Sequence, residues 1–573
     1  MTPEPLAAGQ ARRPFPAEAL FLAGLGVFVL ALCLWPLGRL VATVFAEGAG
    51  PGARFIAEVW ASDAARVATL NTLWAAGWAT LLSLLLGGGM ALLVTLVPVR
   101  GRAVLVFLVI LPLLIPPQIS TLAWLSFVGS QSPLWALPGL EALRPRGNPL
   151  LGANGIVLVM GLEHAPLVFL ALRAGLRALP ADLIDAARMV GATPLSAVRG
   201  IVLPLMLPAL AAGALLAFVS AIGNFGVPAL LGIPGRYPML TTLIYQRLSG
   251  FGPSALPEVA ALALILAVIA LVCVGLQALA LRRLAVAMNR DAGVHRGFAR
   301  GRAATGLGAL AWALMIVVAV LPLCALVASA LVPAVGVRLS LETITAENLI
   351  YVVTGLGAAQ RAFVNSLGLA GATAAITLAL AVPLAWLIVA RRSTVARGLG
   401  AVADLPYVLP GIVLSIAMIL TFLPPLPGTG ISLYNTIWIL LLAYLARFFA
   451  LALRPVIAAL TQLDPALEEA ARMSGAGTVR RLLTIVLPLL APALGAGAIL
   501  VFLGAFSELT VSALLWSRGS ETVGVMVFSL YDEGNATAAA AVSVWVLAIV
   551  LALAGLVTRL ARHLPEGVLP WQS

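Results

Sequence analysis

Along most of the chain, hydrophobic positions do not alternate with polar ones. They run together in blocks of twenty or so residues, separated by short polar segments. A helix needs about 20 such residues to cross the hydrocarbon of a bilayer. Twelve blocks begin near Phe21, Thr69, Val104, Asn154, Ile201, Glu258, Thr305, Asn365, Val402, Asn435, Ile485 and Ala536. Several carry glycine and proline, which membrane helices tolerate because neighbours re-satisfy the freed peptide groups. Pro112 and Pro116, and later Pro406 and Pro410, break the third and ninth blocks, and such breaks are natural gate sites. The predicted fold class is an all-α polytopic membrane protein of about twelve transmembrane helices. The first block is too long for a signal-peptide core and no small-residue cleavage site follows it, so it reads as a retained span.

The polar segments differ in charge. Arg12 and Arg13, Arg100 and Arg102, the stretch Arg173 to Arg199, the stretch Arg282 to Arg302, Arg391 to Arg397, Arg454 to Arg481, and Arg559 with Arg562 fall after every second block. The segments between them hold Glu47, Glu58, Asp63, Glu521, Asp532 and Glu533. Basic loops stay on the cytoplasmic side during insertion, which predicts both termini in the cytoplasm.

The pattern also repeats. Asn71-Thr-Leu returns as Asn365-Ser-Leu, and Leu111-Pro-Leu-Leu-Ile-Pro116 as Leu405-Pro-Tyr-Val-Leu-Pro410, both offset by 294. Asp185-Ala-Ala returns as Glu469-Ala-Ala, Ile201-Val-Leu-Pro as Ile485-Val-Leu-Pro, and Phe218 as Phe502, all offset by 284. The lost ten residues fit a longer outer loop in the first half, between Gln131 and Ala153. Six spans is an even number, so the halves share one orientation, related by a pseudo-twofold axis along the membrane normal. The expected units are 1–281, a linker 282–304, and 305–573.

Composition agrees: 62% of the 573 residues are hydrophobic and 10% charged, against about 25% charged in soluble proteins. The net charge of +12 comes from arginines spread over the loops, with no lysine; it reflects insertion topology and membrane lipid, not nucleic-acid binding. Cys33, Cys273 and Cys324 lie singly in apolar runs, and His164, His295 and His563 are scattered. Neither set has metal-ligand spacing.

One polar segment in each half has a more specific form. Asp182, Asp185 and Arg188 share a helical face, Pro180 suits a helix start, and Gly191 suits its end. In the second copy Asp464-Pro465 begins the helix, Glu468 and Glu469 supply acids near its start, and Gly475 ends it. The prediction in both is a short helix, a sharp glycine turn, a second short helix, and a proline (Pro204, Pro488) at re-entry of the next span. The small faces Ala186-Ala187 and Ala470-Ala471 let a partner backbone approach, with a carboxylate beside them for a partner arginine.

Acidic-Ala-Ala, three residues, Gly, nine residues, Ile-x-Leu-Pro resembles the EAA motif of binding-protein-dependent ABC importer permeases, matched at Asp185 to Pro204 and again at Glu469 to Pro488. Asp185 departs from the motif's glutamate, a shorter arm. The resemblance covers nearly the whole chain. It implies that residues 181–200 and 465–484 are coupling helices that sit in clefts of two copies of a separate ATPase subunit, which holds ATP and Mg. An extracytoplasmic solute-binding protein and a bacterial inner-membrane location are implied with it. This chain lacks the Gly-x4-Gly-Lys-Ser/Thr loop, so it is expected to bind no cofactor and to be a transport subunit, not an enzyme.

The fused two-unit form, with Asn224-Phe-Gly-Val-Pro-Ala-Leu-Leu-Gly, Pro234-Gly-Arg-Tyr, Thr241-Thr-Leu-Ile-Tyr-Gln246, Phe506-Ser-Glu-Leu-Thr510 and Glu521-Thr522, resembles the ferric-iron importer group. Thiamine, polyamine and aminoethylphosphonate permeases share much of this pattern. Polar residues inside spans are candidates for a translocation path: Asn224 and Glu508, equivalent at offset 284, with Glu163, His164 and Arg447. They either face such a path or bond to neighbouring helices or to each other. An ion-coupled secondary transporter would also have twelve spans in two parallel halves, but it has no use for the paired motif.

Overall fold

The computed structural model describes residues 16–46, 52–130, 132, 135, 142, 144–284, 302–426 and 428–560. Arg12, Arg13, Glu47, Arg562, His295, His563, most of the linker and part of the longer loop between Gln131 and Ala153 lie outside the described residues. Among those described there is no strand, as expected where lipid offers peptide groups no partner and each helix must satisfy its own. Ten helices are long and apolar enough to cross a membrane: Glu18–Phe45, Asp63–Leu96, Ala153–Arg177, Pro194–Ile222, Leu240–Arg283, Arg302–Ala330, Gly357–Val389, Ile437–Leu460, Thr478–Phe506 and Ala536–Arg559. Two more spans are bent pairs, Arg102–Leu114 with Pro117–Val128 at 110° and Thr394–Val408 with Gly411–Phe422 at 109°. Numbered in chain order, these are spans one to twelve, the bent pairs being three and nine.

The bends are narrower than the sequence suggested. Pro112 sits inside the helix Arg102–Leu114, and Pro406 in the first turn of the short helix Leu405–Val408. Pro116 and Pro410 make the breaks. Each forces the residue before it out of the helical region, so Ile115 and Leu409 are extended, with ψ of 135° and 146°.

The loops that end in Pro204 and Pro488 also differ from expectation. The second short helix is not separate. It runs on into span five as Pro194–Ile222 and into span eleven as Thr478–Phe506. Proline would clash with the carbonyl four residues back and leave it unbonded. Here a π-helical turn precedes the proline, and the residue before it donates five back: Leu203 to Val198 and Leu487 to Leu482. Spans one and seven use the same device ahead of Pro36 and Pro322, where Trp35 donates to Leu30 and Leu321 to Ile316. A π-bulge widens the turn at small cost, so the helix survives the proline.

In each half three spans pack mutually: two, four and five, and then eight, ten and eleven. The first span of each half crosses to the other. Span one lies on span eight and on Gly411–Phe422, with Phe28 against Phe449 at 5.2 Å between ring centroids. Span seven lies on Pro117–Val128 and span twelve, and its Trp312 Nε1 donates to Arg100 O at 3.1 Å. The sequence halves are thus interlocked in space.

The repeated Asn-Thr/Ser-Leu triplet has a structural role. Asn71 Nδ2 donates to Pro238 O at 2.9 Å, and Thr72 Oγ1 accepts from Leu240 N at 2.9 Å. In the second half Asn365 Nδ2 donates to Glu521 O at 2.9 Å and Ser366 Oγ accepts from Val523 N at 2.9 Å. The triplet therefore pins the turn after spans five and eleven to the N-terminal part of spans two and eight. Removing the buried acceptor leaves a dry N–H, which costs about 1–3 kcal/mol. Thr72→Val and Ser366→Ala are each expected to lower the unfolding midpoint of the detergent-purified protein; melting at the wild-type temperature would refute the pinning role.

Glu521 in that turn accepts from Gly519 N at 3.0 Å and pairs with Arg361 at 3.3 Å. Burial works to raise its carboxyl pKa, but the Gly519 N–H and the Arg361 guanidinium outweigh it and hold it below the usual value. A depressed folded pKa gives stability that is present above the unfolded value and lost as pH falls through the folded one. Acid titration of the melting point is expected to show this loss, and Glu521→Gln to reduce it. An unchanged titration in Glu521→Gln would count against the assignment.

Candidate functional site

Four of the five polar residues predicted inside spans come together in two pairs at the breaks. In the first half Asn224 Nδ2 donates to Glu163 Oε2 at 3.0 Å. In the second, Arg447 Nε donates to Glu508 Oε2 at 3.2 Å. Glu163 and Arg447 share the 284 offset, as do Asn224 and Glu508. The same two places therefore hold an acid with an amide in one half and an ion pair in the other. The equivalence of Glu163 with Arg447 was present in the sequence, hidden because the charges are opposite.

These side chains also serve the backbone. Asn224 Oδ1 accepts from Val227 N at 3.1 Å, and Glu508 Oε1 from Val511 N at 2.9 Å. Each closes the turn that leaves span five or eleven. Arg447 Nη1 reaches Leu409 O at 3.4 Å, the carbonyl just before the break at Pro410. A Cβ on Gly223 would lie 3.4 Å from Pro410 Cα, so the first half's turn touches the second half's break. Aromatic rings close the same interface: Phe225, Tyr245 and Phe528 lie 5.1 to 5.9 Å apart by centroid. His164 does not join the pairs. It is buried, with Nδ1 on Met160 O of its own helix at 2.7 Å.

Each half has one loop with the Ala-Ala motif, set in an arginine-rich segment. Their helices are Ala181–Met189 and Pro465–Met473. The second is capped by Asp464, whose carboxylate accepts from Ala466 N at 2.9 Å. Both end in a left-handed glycine, Gly191 at φ +81° and Gly475 at φ +78°. The closing bonds run from Ala192 N to Ala187 O and from Ala476 N to Ala471 O, the Schellman pattern that requires such a residue. Ala186, Glu469 and Ala470 are exposed, Ala471 is half-buried and Ala187 is buried. The side chains of Asp185 and Arg188 lie outside what the structure describes. Met189 and Met473, equivalent and missed by motif reading, are 84% and 89% exposed. The same place in each half thus holds an exposed, adaptable apolar side chain.

Glu468, beside the motif's Glu469, is the anchored acid. It accepts from Arg481 Nη1 at 3.2 Å and from Trp386 Nε1 at 3.0 Å. Arg391 stacks on Trp386 at 5.5 Å and pairs with Glu18 of span one. A cavity of about 750 Å³ opens behind this loop, lined by Arg392, Glu468, Glu469, Arg472 and Ile485 among others. No group of three or more metal-ligating side chains occurs among the described residues.

The profile of binding-protein-dependent transport system inner membrane components matches residues 79–286 and again 378–566. The chain belongs to that family. Its relatives are transport permeases. It is 28% identical over 569 residues to a probable ABC transporter permease of Sinorhizobium fredii, covering 95% of this chain and 96% of that one. It is 24% identical to an Fe(3+)-transport system permease of Haemophilus influenzae, over 75% of this chain and 77% of the relative. A putative 2-aminoethylphosphonate transport system permease of Salmonella paratyphi A is 29% identical over 28% of this chain and 60% of its own. The permease is therefore a multi-pass membrane transport component with two copies of the family unit.

Within the permease, the Arg447–Glu508 pair is mostly hidden from solvent, its side chains 19% and 9% exposed. Removing one member of such a pair strands the other and costs about 3–5 kcal/mol. Arg447→Ala is expected to unfold at a clearly lower temperature than the double change Arg447→Ala with Glu508→Gln. Equal melting of the single and double variants would show that the two side chains are not coupled.

Proposed function

We propose that this permease is the whole membrane part of an ATP-driven importer that takes ferric iron from an extracytoplasmic binding protein. The observation that carries the ATP-driven part is the pair of equivalent loops at one end, each presenting Ala-Ala and an exposed methionine on a glycine-capped helix. Residues 181–200 and 465–484 are the coupling helices, one for each of two ATPase subunits, which hold ATP and Mg. That end is then cytoplasmic, and both termini with it, in the inner membrane. Residues 1–281 and 305–573 are the two units, and 282–304 connects them, so one chain serves where two separate permeases would otherwise be needed.

Two observations support iron as cargo. The likeness to the Fe(3+) permease extends over three quarters of the chain. The central polar groups also favour a cation over aminoethylphosphonate. Arg447 is already neutralised by Glu508, whereas Glu163 has only the neutral Asn224 as its bonded partner. No fixed cage is needed when the binding protein selects the cargo and the path holds it briefly.

The test is ATP hydrolysis by the permease co-assembled with its cognate ATPase and binding protein. Ferric-loaded binding protein is expected to raise hydrolysis, and Asp185→Arg with Glu469→Arg to abolish the rise. Stimulation by thiamine, a polyamine or aminoethylphosphonate in place of iron would reassign the cargo. If no ATPase associates with the chain, the coupling helices are wrongly assigned and an ion-coupled secondary transporter becomes the better reading.

A further inference from the structure

One buried polar group at the interface of the halves has no role in the pairs above. Gln118 is the second residue of Pro117–Val128, just past the break in span three. It is 1% exposed, and its Oε1 has no hydrogen-bond partner. The side chain is wedged between glycines of opposite halves. A Cβ on Gly226 would lie 3.4 Å from Gln118 Oε1 and 3.2 Å from its backbone N. A Cβ on Gly524 would lie 3.2 Å from Gln118 Nε2 and 2.9 Å from Glu508 O. Gly226 follows Asn224 by two residues, and Gly524 is the second residue of the helix Val523–Asp532 that Ser366 pins. Gln118 therefore sits where the two breaks and the two turns converge.

Packing does not explain the choice. At the equivalent place in the second half, offset by 294, stands Ile412, fully buried in the same way. An apolar residue of similar reach fills the site. A glutamine there loses the hydration of its carbonyl oxygen and gains nothing for it, and such a group normally finds a partner. The loss lasts only while the halves are closed on it. Once they part, water or a solute satisfies the oxygen. A dry acceptor in the closed state thus works against closure, and it comes into the path as a neutral carbonyl ligand. Neutral oxygens hold a cation weakly enough to release it.

We propose that Gln118 is the gate residue of the path and that its amide oxygen contacts a cationic solute as the halves separate. The proposal rests on the importer reading, and it assigns the specificity contact to one half only.

The experiment uses the full complex with cognate ATPase and binding protein in proteoliposomes. In a background with Cys33, Cys273 and Cys324 replaced by alanine, Gln118→Cys is labelled with a small membrane-impermeant maleimide. Protection at rest, and labelling roughly tenfold faster during turnover with MgATP and loaded binding protein, is expected of a gate position. Equal labelling in the two states overturns the gate. Gln118→Leu is expected to keep ATPase assembly while solute uptake falls roughly tenfold, because the chain then carries an apolar side chain in both halves. Uptake at the wild-type rate overturns the contact. Should Gln118→Leu fail to assemble, the cysteine labelling still decides. A wild-type complex that shows no stimulated ATP hydrolysis with any loaded binding protein sinks the importer reading first, and the gate with it.

Discussion

A peptide N–H or C=O left dry in hydrocarbon costs several kcal/mol, and most of this permease's polar placement follows from that cost. The helices satisfy themselves until Pro116 and Pro410 interrupt them, and until the chain turns after spans five and eleven. There the freed groups need side chains. Arg447 serves Leu409 O, Asn224 serves Val227 N, Glu508 serves Val511 N, and Ser415 serves Val511 O. Thr72 and Ser366 serve the next helix. The centre is polar because its backbone is irregular, and irregular backbone is allowed at membrane depth only where protein or a water-filled cavity surrounds it. The polar residues at the centre are ones that the fold already required.

The same economy links the centre to the loops. Each Ala-Ala loop joins two spans that share a polar pair, formed by the middle of span four or ten and the residue just past the far end of span five or eleven. From Pro194 and from Thr478 the helix then runs unbroken toward the polar pair, since the π turns carry Pro204 and Pro488 without a hinge. In the second half the loop is also fastened sideways, through Glu468 to Trp386 and Arg481, and through Arg391 to Glu18 of span one. Because span one lies in the first half of the sequence, the second loop is tied to both halves.

Much of this was legible in the sequence because it obeys simple periods. Block length gave the spans, arginine spacing gave the two ends, and constant offsets gave the repeat. The glycine caps at Gly191 and Gly475 followed from one backbone requirement. What stayed hidden depended on three-dimensional closure. Nothing local distinguishes Pro112, which stays within a helix, from Pro116, which ends one; the neighbours that meet the freed carbonyl decide. The exchange of spans one and seven between halves leaves no periodic trace. Glu163 and Arg447 were seen as separate residues because a sign change masks an offset match. Glu468 and Glu469 look alike in sequence, and only burial of Arg481 and Trp386 shows which one is tied down.

Joining the two units in one chain has a physical consequence that two identical subunits could not have. A homodimer places the same residue at both equivalent positions. An acid buried beside an amide would then occur twice, and so would an ion pair; neither could stand opposite the other. Here Glu163 answers to Arg447, Asn224 to Glu508, Gln118 to Ile412, and Ala197 to Arg481. The first three exchanges keep the size of the group near enough for the shared backbone and change its charge or polarity, whereas Arg481 puts a long charged side chain where the first half has a methyl group. One half is stabilised by paired charges and a fastened loop. The other keeps an acid and an amide whose hydrogen-bonding capacity is not used up by a counter-ion. Paired charge and unpaired polarity, which compete for the same positions in a symmetric assembly, thereby stand in different halves of a single fold.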